Sequence, residues 1–589
     1  MRKALLLFLL LLGGVASTFV HAQDKTLTGK VTADDGAPLP GVNIVIKGTT
    51  KGTNTDAEGN FRISAPANSR LLISYVGFVA QEFVVGNQTT LNVSLVPDAA
   101  NLEEVVITTF GTAKKASFTG SAAKIDASSL APRPVTNLGQ ALAGATPGVQ
   151  TTAGSGQPGS APDIRIRGFG SISSSNSPLY VVDGIPYSAD IANISTSDIE
   201  TITVLKDAAS TALYGARAAN GVVMITTKKG QKGANSINIK YTKGLNTRAL
   251  PEYDRVGPAD YYVLMWEANR NNFAYRATNP IPMATASTNA TNGLGAIVGY
   301  NIYNVPFNQL VSTDGVFNSS AKMLYSPDDL NWEKPIMRQG NRDELNLNFS
   351  GSNNNTDYFV SLSYLNDRGF LIRSDFERYT ARLNVNSQMK PWFRTGANIT
   401  ATISNSNQSD APATGGTSFV NPFFFSRGIA PIYPIYAYDP ANPGSFLMLE
   451  NGNRRWDYGN LSALGLPNRP QYGGRHIISE TLLNQNYFRR NVFGGRGFAE
   501  ISFLKNFKFT ANVGADITNR NNVTFGNPEI GDGAPAGRST HEFEYLASYN
   551  ISQLLNYTKT FGSHGIEALV GHESYNQMSN NLEGSRSQQ

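Results

Sequence analysis

From Phe507 to Thr518 the chain alternates strictly. Phe507, Phe509, Ala511, Val513, Ala515 and Ile517 share one parity, and Lys508, Thr510, Asn512, Asp516 and Thr518 share the other. A period of two over that length means a β-strand with one apolar and one polar face. The pattern recurs in Ile237, Ile239 and Tyr241 against Asn238, Lys240 and Thr242. It recurs again in Tyr379, Ala381, Leu383 and Val385 against Thr380, Arg382, Asn384 and Asn386, and in Ala397, Ile399, Ala401 and Ile403 against Arg394, Asn398, Thr400 and Thr402. Ordinary globular strands average about 5–6 residues, whereas these segments run to about ten or more, the length a tilted strand needs to cross a bilayer. A lysine or arginine facing lipid at mid-bilayer costs about 2–4 kcal/mol, so charge kept to the polar parity predicts lipid outside and a water-filled lumen inside.

The connections support that reading. Short turns are expected at Asn353-Asn354-Asn355, Lys390-Pro391 and Lys505-Asn506, and long ones at about 245–340, 405–486 and 519–542, the short-inside, long-outside asymmetry of outer-membrane barrels. About nine strands are expected in this region, too few to close around a filler domain, so the chain is expected to stop partway through a barrel. An open sheet leaves backbone groups unpaired in lipid, and stable insertion of such a piece by itself is not expected. The composition suits strands and turns, with 56 Gly, 25 Tyr and 30 Phe, and long amphipathic helices are nearly absent from the reading.

The N-terminus has Arg2 and Lys3, an apolar run from Ala4 to Leu12, and Val20-His21-Ala22, which predicts an export signal cleaved after Ala22. That run falls far short of the roughly 20 residues of a spanning helix, and no later stretch approaches it. Cysteine is absent although the exported compartment permits disulfides, so burial and strand pairing must stabilise the fold. A net charge of +5 over 589 residues is too small to indicate nucleic-acid binding.

Between the signal and the long strands lie two further regions. Residues Thr26 to Pro97 show short strands at Leu27–Val31, Val42–Ile46, Phe61–Ile63, Leu71–Tyr75 and Leu91–Leu95, separated by turn residues, which predicts a small β-sandwich. Asp56, Glu58 and Asn60 have the alternate oxygens of a calcium loop, but Gly59 suits a hairpin turn, and no metal is assigned. Leu102 to Gly233 mixes strands at Asp163–Arg167, Leu179–Val182 and Val222–Thr227 with two short helices, one capped by Thr136 and ending near Gly144, the other from Lys206 to Tyr214 with Gly215 as its C-cap. This predicts a compact α+β domain.

The segments Leu102-Glu103-Glu104-Val105-Val106-Ile107-Thr108-Thr109, "DIRIRGFGS", "PLYVVDGIP" and "IETITVLKDAASTALYGARAANGVVMITTKKG" resemble the SusC/RagA family of TonB-linked outer-membrane proteins, and "GAPLPGVNIVIKGTTKGTNTDAEGNFRI" resembles the carboxypeptidase-regulatory-like domain that precedes many such receptors. The resemblance implies a mainly β chain: a signal peptide (1–22), the sandwich (23–98), a TonB-box segment (99–112), a plug (113–233) and the first part of a transmembrane antiparallel barrel (234–589) that has about 22 strands in the family. It implies energised import through TonB and its inner-membrane motor, with TonB adding as a strand to Leu102, Glu103, Glu104, Val105, Val106, Ile107, Thr108 and Thr109. It further implies a SusD-like lipoprotein partner, a glycan or peptide cargo, outer-membrane lipid around the barrel, and no cofactor.

Within that frame Phe423, Phe424, Phe425, Tyr433, Tyr436 and Tyr438 are candidates for stacking on substrate or lid, with anchoring of their own loop as the competing role. Arg165 and Arg167 are expected to grip the barrel wall, and Asp183, Gly184, Gly215 and Gly221, with Gly168 and Gly170, to pack or turn the plug. A secreted hydrolase is the competing class, but there is no Cys, only five His, no Gly-x-Ser-x-Gly elbow and no His-Glu-x-x-His helix. A passive porin or adhesin would share the strands, yet neither needs the region from Leu102 to Gly233.

Overall fold

The computed structural model describes residues 25–589 except 35, 50, 67, 76–77, 87, 97–104, 109–110, 115–121, 127–128, 130–134, 136, 153–155, 208–210, 231–234, 410–420, 563 and 589. The expected export signal and the Thr136 cap lie outside the described residues. The chain divides into two compact units, Met1–Thr119 and Gly120–Gln589.

In the first unit β1 (Lys25–Ala33), β2 (Asn43–Ile46), β3 (Gly52–Asn54), β4 (Asn60–Ala65), β5 (Arg70–Ser74), β6 (Gln81–Val84) and β7 (Val93–Leu95) form two sheets, ordered β4-β1-β7 and β3-β2-β5-β6. Leu27, Val31, Ile44, Phe61, Ile63, Leu71, Ile73 and Leu95 fill the space between them. The alternation is of the water-soluble kind: in β4, Phe61, Ile63 and Ala65 are buried and Asn60, Arg62 and Ser64 are exposed. Asp56 turns its carboxylate back on its own loop, Oδ1 accepting from the Glu58 and Asn60 amides at 3.1 and 2.7 Å, while Gly59 supplies φ of 79°. The loop is a hairpin turn. Sequence reading missed β3 and β6, which are edge strands with no buried residue and so carry no apolar period. A hairpin of β8 (Val105–Thr108) and β9 (Gly111–Lys114) follows.

The second unit begins with the α+β domain. Its main sheet has the order β10-β15-β16-β13-β14, built from β10 (Ala122–Asp126), β13 (Leu179–Val182), β14 (Ile185–Pro186), β15 (Ile199–Leu205) and β16 (Val222–Thr227); β11 (Val149–Thr152) and β12 (Asp163–Ile166) pair separately. Helix α1 (Leu138–Leu142) is capped by Asn137, whose side chain accepts from the Gln140 amide. The second expected helix is displaced. Lys206 and Asp207 are not helical, a 3-10 turn runs from Ala212 to Ala218, and Gly215 sits inside it at φ 62°, ψ −149° rather than capping its end.

Nine strands follow as one antiparallel meander, each paired with the next: β17 (Ser236–Asn246), β18 (Gly340–Ser352), β19 (Thr356–Arg368), β20 (Asp375–Lys390), β21 (Phe393–Asn407), β22 (Gln485–Phe503), β23 (Phe507–Gly526), β24 (Arg538–Phe561) and β25 (His564–Ser587). The sheet is open, with β17 and β25 as its edges. Here the alternation is inverted. Thr380, Arg382, Asn384 and Asn386 on β20 are buried, whereas Tyr379 and Leu383 on the other parity are exposed. Val360, Leu383 and Ile399 stand opposite one another on three neighbouring strands, an apolar row on the outer face.

Two of the long connections, 247–339 and 408–484, leave the same end of the sheet and fold together. The first contains α2 (Pro258–Tyr275) and α3 (Met283–Val298), the second α4 (Pro422–Gly428) and α5 (Ile477–Leu483). Tyr262, Trp266, Leu294, Trp332, Phe425, Ile432 and Ile478 share one core, closed from below by Leu371 of the 369–374 turn. Long amphipathic helices are expected to be nearly absent; α2 and α3, of 18 and 16 residues, are long helices whose amphipathic signal is weak. In α3 the buried stripe is Ala286, Ala290, Thr291, Leu294 and Val298, mostly small residues among Thr, Asn and Gly of weak helix propensity, so its apolar signal is faint. The third expected long connection is short: β23 and β24 extend until only residues 527–537 join them.

Candidate functional site

The buried polar parity of the sheet is the seat of the α+β domain, and one stretch of that domain, Asp183 to Asn193, meets it at several points. Val181-Val182 and Ile185-Pro186 are the arms of a tight hairpin whose two central residues, Asp183 and Gly184, both have positive φ, 48° and 85°. An Asp-Gly pair is what such a turn requires, since both positions lie in the left-handed region. The turn delivers the Asp183 carboxylate to the wall. It accepts from the Thr227 amide and hydroxyl at 2.9 and 2.8 Å, from Arg382 Nη2 at 3.2 Å, and from Asn398 Nδ2. Arg382 is almost wholly buried, so its charge is held there by this pairing rather than by water.

Further along the stretch, Ser188 and Ser548 share a hydrogen bond of 2.7 Å, Arg490 pairs with Asp190 at 2.9 Å, Arg378 Nη1 donates to the Ala192 carbonyl at 2.6 Å, and Thr402 donates to the Asn193 carbonyl at 3.2 Å. The Arg496 guanidinium lies 5.5 Å from the Tyr187 ring and is bound to Asp516 of the next strand. Elsewhere Arg342 donates to the Val135 carbonyl, Asn384 to the Lys228 carbonyl, and Gln157 to the Asn407 carbonyl. At Gly159 an added Cβ would meet the Phe376 ring at 2.2 Å, so only glycine lets the two surfaces close there. The seat carries a layer of hydrogen bonds and ion pairs, with apolar groups also meeting at Gly159 against Phe376 and at Ile185 against Gly514, and hydrogen bonds of this kind can be exchanged for water.

The grip comes from arginines of the sheet and from Arg217 of the domain, which pairs with Glu573 of β25 at 2.9 Å and lies over the Tyr575 ring; among the described residues the contacts of the expected pair fall within their own domain. Arg165 lies 3.8 Å from Asp163 and stacks on the Phe169 ring at 4.2 Å, both within its own domain. Arg167 ends its strand at φ 60° and is exposed, because the chain turns there before Gly168. Asp183 meets the sheet through Arg382 and Asn398, and Gly184 shares its turn at positive φ. Gly221, at φ 89°, lies where a Cβ would strike Ile166, so it serves packing inside the domain; a Cβ at Gly215 would meet nothing. Gly168 has φ of 101°, and a Cβ at Gly170 would meet the Asn220 side chain.

The aromatic set divides. Phe425, Tyr433 and Tyr438 are buried in the outer core: Phe425 lies against Trp332 at 5.3 Å, Tyr433 donates to the Val298 carbonyl at 3.1 Å, and Tyr438 stacks on Tyr325 at 3.8 Å. These three are corrected to anchors of the loop, since a ring without exposed surface cannot stack on a ligand. Phe423, Phe424 and Tyr436 are half-buried, with Tyr436 stacked on Trp456 at 4.6 Å. Of the candidate TonB-binding residues, Leu102, Glu103, Glu104 and Thr109 lie outside the described residues, while Val105, Val106, Ile107 and Thr108 form β8.

His476 caps α5. Its Nδ1 accepts from the Ser479 amide at 3.1 Å and its Nε2 lies 2.9 Å from the Ile435 carbonyl, an arrangement that only the neutral Nε2–H tautomer satisfies. Trp332 and Trp456 flank the ring at 4.7 and 4.8 Å. Burial pushes its pKa down to about 3. Asp329 in the same core is pushed up to about 7, chiefly by burial.

Comparison with known proteins places these parts. Residues 114–222 match the TonB-dependent Receptor Plug Domain family, and residues 27–107 the CarboxypepD_reg-like domain family. The TonB-dependent receptor P3 of Formosa agariphila is 31% identical over 585 residues, covering 98% of this chain and 50% of that protein. The TonB-dependent receptor SusC of Bacteroides thetaiotaomicron is 29% identical over 601 residues, covering 97% and 53%. The solved RagAB peptide transporter superposes with a TM-score of 0.59 at 26% identity, over 80% of this chain and 49% of that one. The RagAB peptide importer in its open-open state gives a TM-score of 0.60 at 24% identity, over 82% and 50%. The chain spans about half the length of the curated relatives it matches. A carboxypeptidase-regulatory-like domain, a plug seated on the polar face of an inside-out sheet, and relatives along nearly the whole chain lead to one conclusion: this chain belongs to the SusC/RagA-type TonB-dependent receptors of the outer membrane.

Proposed function

We propose that the chain takes part in TonB-driven import of a bulky nutrient, a glycan or an oligopeptide, together with a SusD-like surface lipoprotein. The observation that carries this reading is the seat of the plug. A plug meant to stay would be fixed by apolar packing, whereas this one rests on the Asp183, Asp190 and carbonyl contacts of sheet arginines, each of which water can replace as the plug is drawn out. Pulling needs a handle, and Leu102 to Thr109 is its place. Within it Val105–Thr108 is a strand paired on one side to Gly111–Lys114, and an extended segment of this kind can take a partner strand through backbone hydrogen bonds. The similar RagAB is a peptide transporter, which supports the peptide alternative by class.

The test is calorimetric titration of the periplasmic domain of TonB into the chain and into a variant lacking Leu102 to Thr109. Binding to the first and not to the second is expected. Absence of binding to both would remove the energy coupling and leave a plugged barrel of passive or adhesive use.

A further inference from the structure

Beside the outer core, where the chain enters α2 and leaves α4, is an open cleft of roughly 460 Å3, within the size range of small-molecule sites. It lies between residues 252–261 and 427–431, with Gln471 at its side. Its walls are apolar at Val256, Tyr261, Ile429 and Pro431, and Tyr253 stands over it with 83% of its surface exposed. A large ring left in water at a cleft mouth is the type of group that binding surfaces use, since it offers wide flat contact for little loss of freedom.

The charges around the cleft cancel. Glu252 and Asp254 face Arg255 and Arg427. Glu252 takes a two-pronged contact from Arg427, at 2.8 and 3.4 Å, and a second ion pair from Arg248, which also holds Glu333. The Arg427 hydrogen bond, with Arg248 behind it, keeps the Glu252 carboxyl ionised, with its pKa down at about 2. Arg255 Nη2 donates to the Ile429 carbonyl at 2.6 Å. A peptide terminus or an acidic sugar entering here would have to compete with these internal pairs and would meet no net field. A neutral ligand loses nothing to them. What the cleft offers is a ring face, apolar walls, one amide and the exposed carboxylate of Asp254, a set that matches a sugar ring with one C–H face and hydroxyls around its rim.

We propose that this cleft binds one or two residues of a neutral oligosaccharide, with Tyr253 as the stacking platform and Gln471 and Asp254 as hydroxyl partners. The inference rests on the import reading for its biological use, but the binding itself needs neither TonB nor a moving plug. The experiment is calorimetric titration of the whole chain in detergent with maltohexaose, cellohexaose, xylohexaose and laminarihexaose, and with a pentapeptide mixture, without TonB. Saturable binding of at least one neutral oligosaccharide is expected, unchanged by added salt. It should weaken about tenfold in Tyr253→Ala, or about 1.4 kcal/mol, and stay within about twofold in Tyr253→Phe, which keeps the ring face. Because Tyr253 is exposed, the alanine variant should keep the wild-type melting midpoint. Binding of none of the four sugars, sugar binding indifferent to Tyr253→Ala, or Tyr253-dependent binding of the peptides would each overturn the assignment. Sugar binding that survives beside a failed TonB titration would instead count against the import reading alone.

Discussion

The sandwich and the nine-stranded sheet use the same alternation in opposite senses. In β4 the apolar parity, Phe61 and Ile63, is buried and Arg62 is exposed; in β20 the polar parity, Arg382 and Asn384, is buried and Leu383 is exposed. The rule is one: each face meets the medium it resembles. The sandwich has water outside and must hide its apolar face, while the sheet has lipid outside and a polar plug inside. What separates the two in sequence is strand length and the consistency with which charge keeps to one parity.

The sharpest way to break this contrast is to make one chemical change on both sheets. Arg382→Leu removes a buried partner of Asp183 and should destabilise the plug seat by about 3–5 kcal/mol, seen as faster proteolysis of the plug and a lower urea midpoint. Arg62→Leu, on the exposed face of the sandwich, should stay within about 0.5 kcal/mol. Equal effects would mean that the plug is not held by this pair.

The apolar side is tested next. Leu71 is fully buried between the sandwich sheets, so Leu71→Ala should cost about 2–5 kcal/mol through lost burial and the cavity left behind, read from the denaturation midpoint of the sandwich. Leu383 is exposed, and in a soluble protein Leu383→Arg would be harmless. Facing an apolar medium it should cost about 2–4 kcal/mol, measured as the shift in the urea midpoint of the chain in detergent micelles relative to wild type. A neutral Leu383→Arg would show that the outer face of β20 meets water.

Much of this was legible beforehand because burial leaves a period. Each of the four alternating segments lies in a strand of the sheet, β17, β20, β21 or β23, and its apolar residues share one face there. The parts that were misjudged lack a period or depend on distant contacts. The edge strands β3 and β6 bury too little to show alternation, and α3 builds its stripe from alanine and threonine. Arg165 and Arg167 lie in a conspicuous motif, but which arginine reaches the plug depends on cross-strand register, which brought Arg382 and Asn398 to Asp183 across some 200 residues. Tyr253 was overlooked beside the Phe423–Phe425 run because density of aromatics marks a core as readily as a site. The better signal was a single ring flanked directly by the charged Glu252, Asp254 and Arg255.

The smallest expected effect is a near absence of one, and it lies in the outer domain, which hides polar groups inside an apolar core. Folding lowers the pKa of His476 from its ordinary 6.5 to about 3, so the stability this neutral ring permits is present above about pH 6.5 and is lost as the pH falls toward 3. Folding raises the pKa of Asp329 from 3.8 to about 7, so its contribution is present below about pH 4 and is lost as the pH rises toward 7. Between about pH 4 and 6.5 the unfolded chain gains one proton at the histidine and lacks one at the aspartate, and the two slopes cancel. Asp457, buried in the same core and bound to Tyr300, is raised by burial as well, so the wild-type melting midpoint, followed by fluorescence of Trp332 beside His476, should not fall on acidification across that window. Asp329→Asn combined with Asp457→Asn removes both acidic slopes and exposes that of His476. The variant should lose stability on acidification from about pH 6.5, at up to about 1.4 kcal/mol per pH unit. A flat profile in the variant would mean that His476 takes up its proton in the folded domain, and that the two hydrogen bonds fixing its neutral tautomer open at little cost.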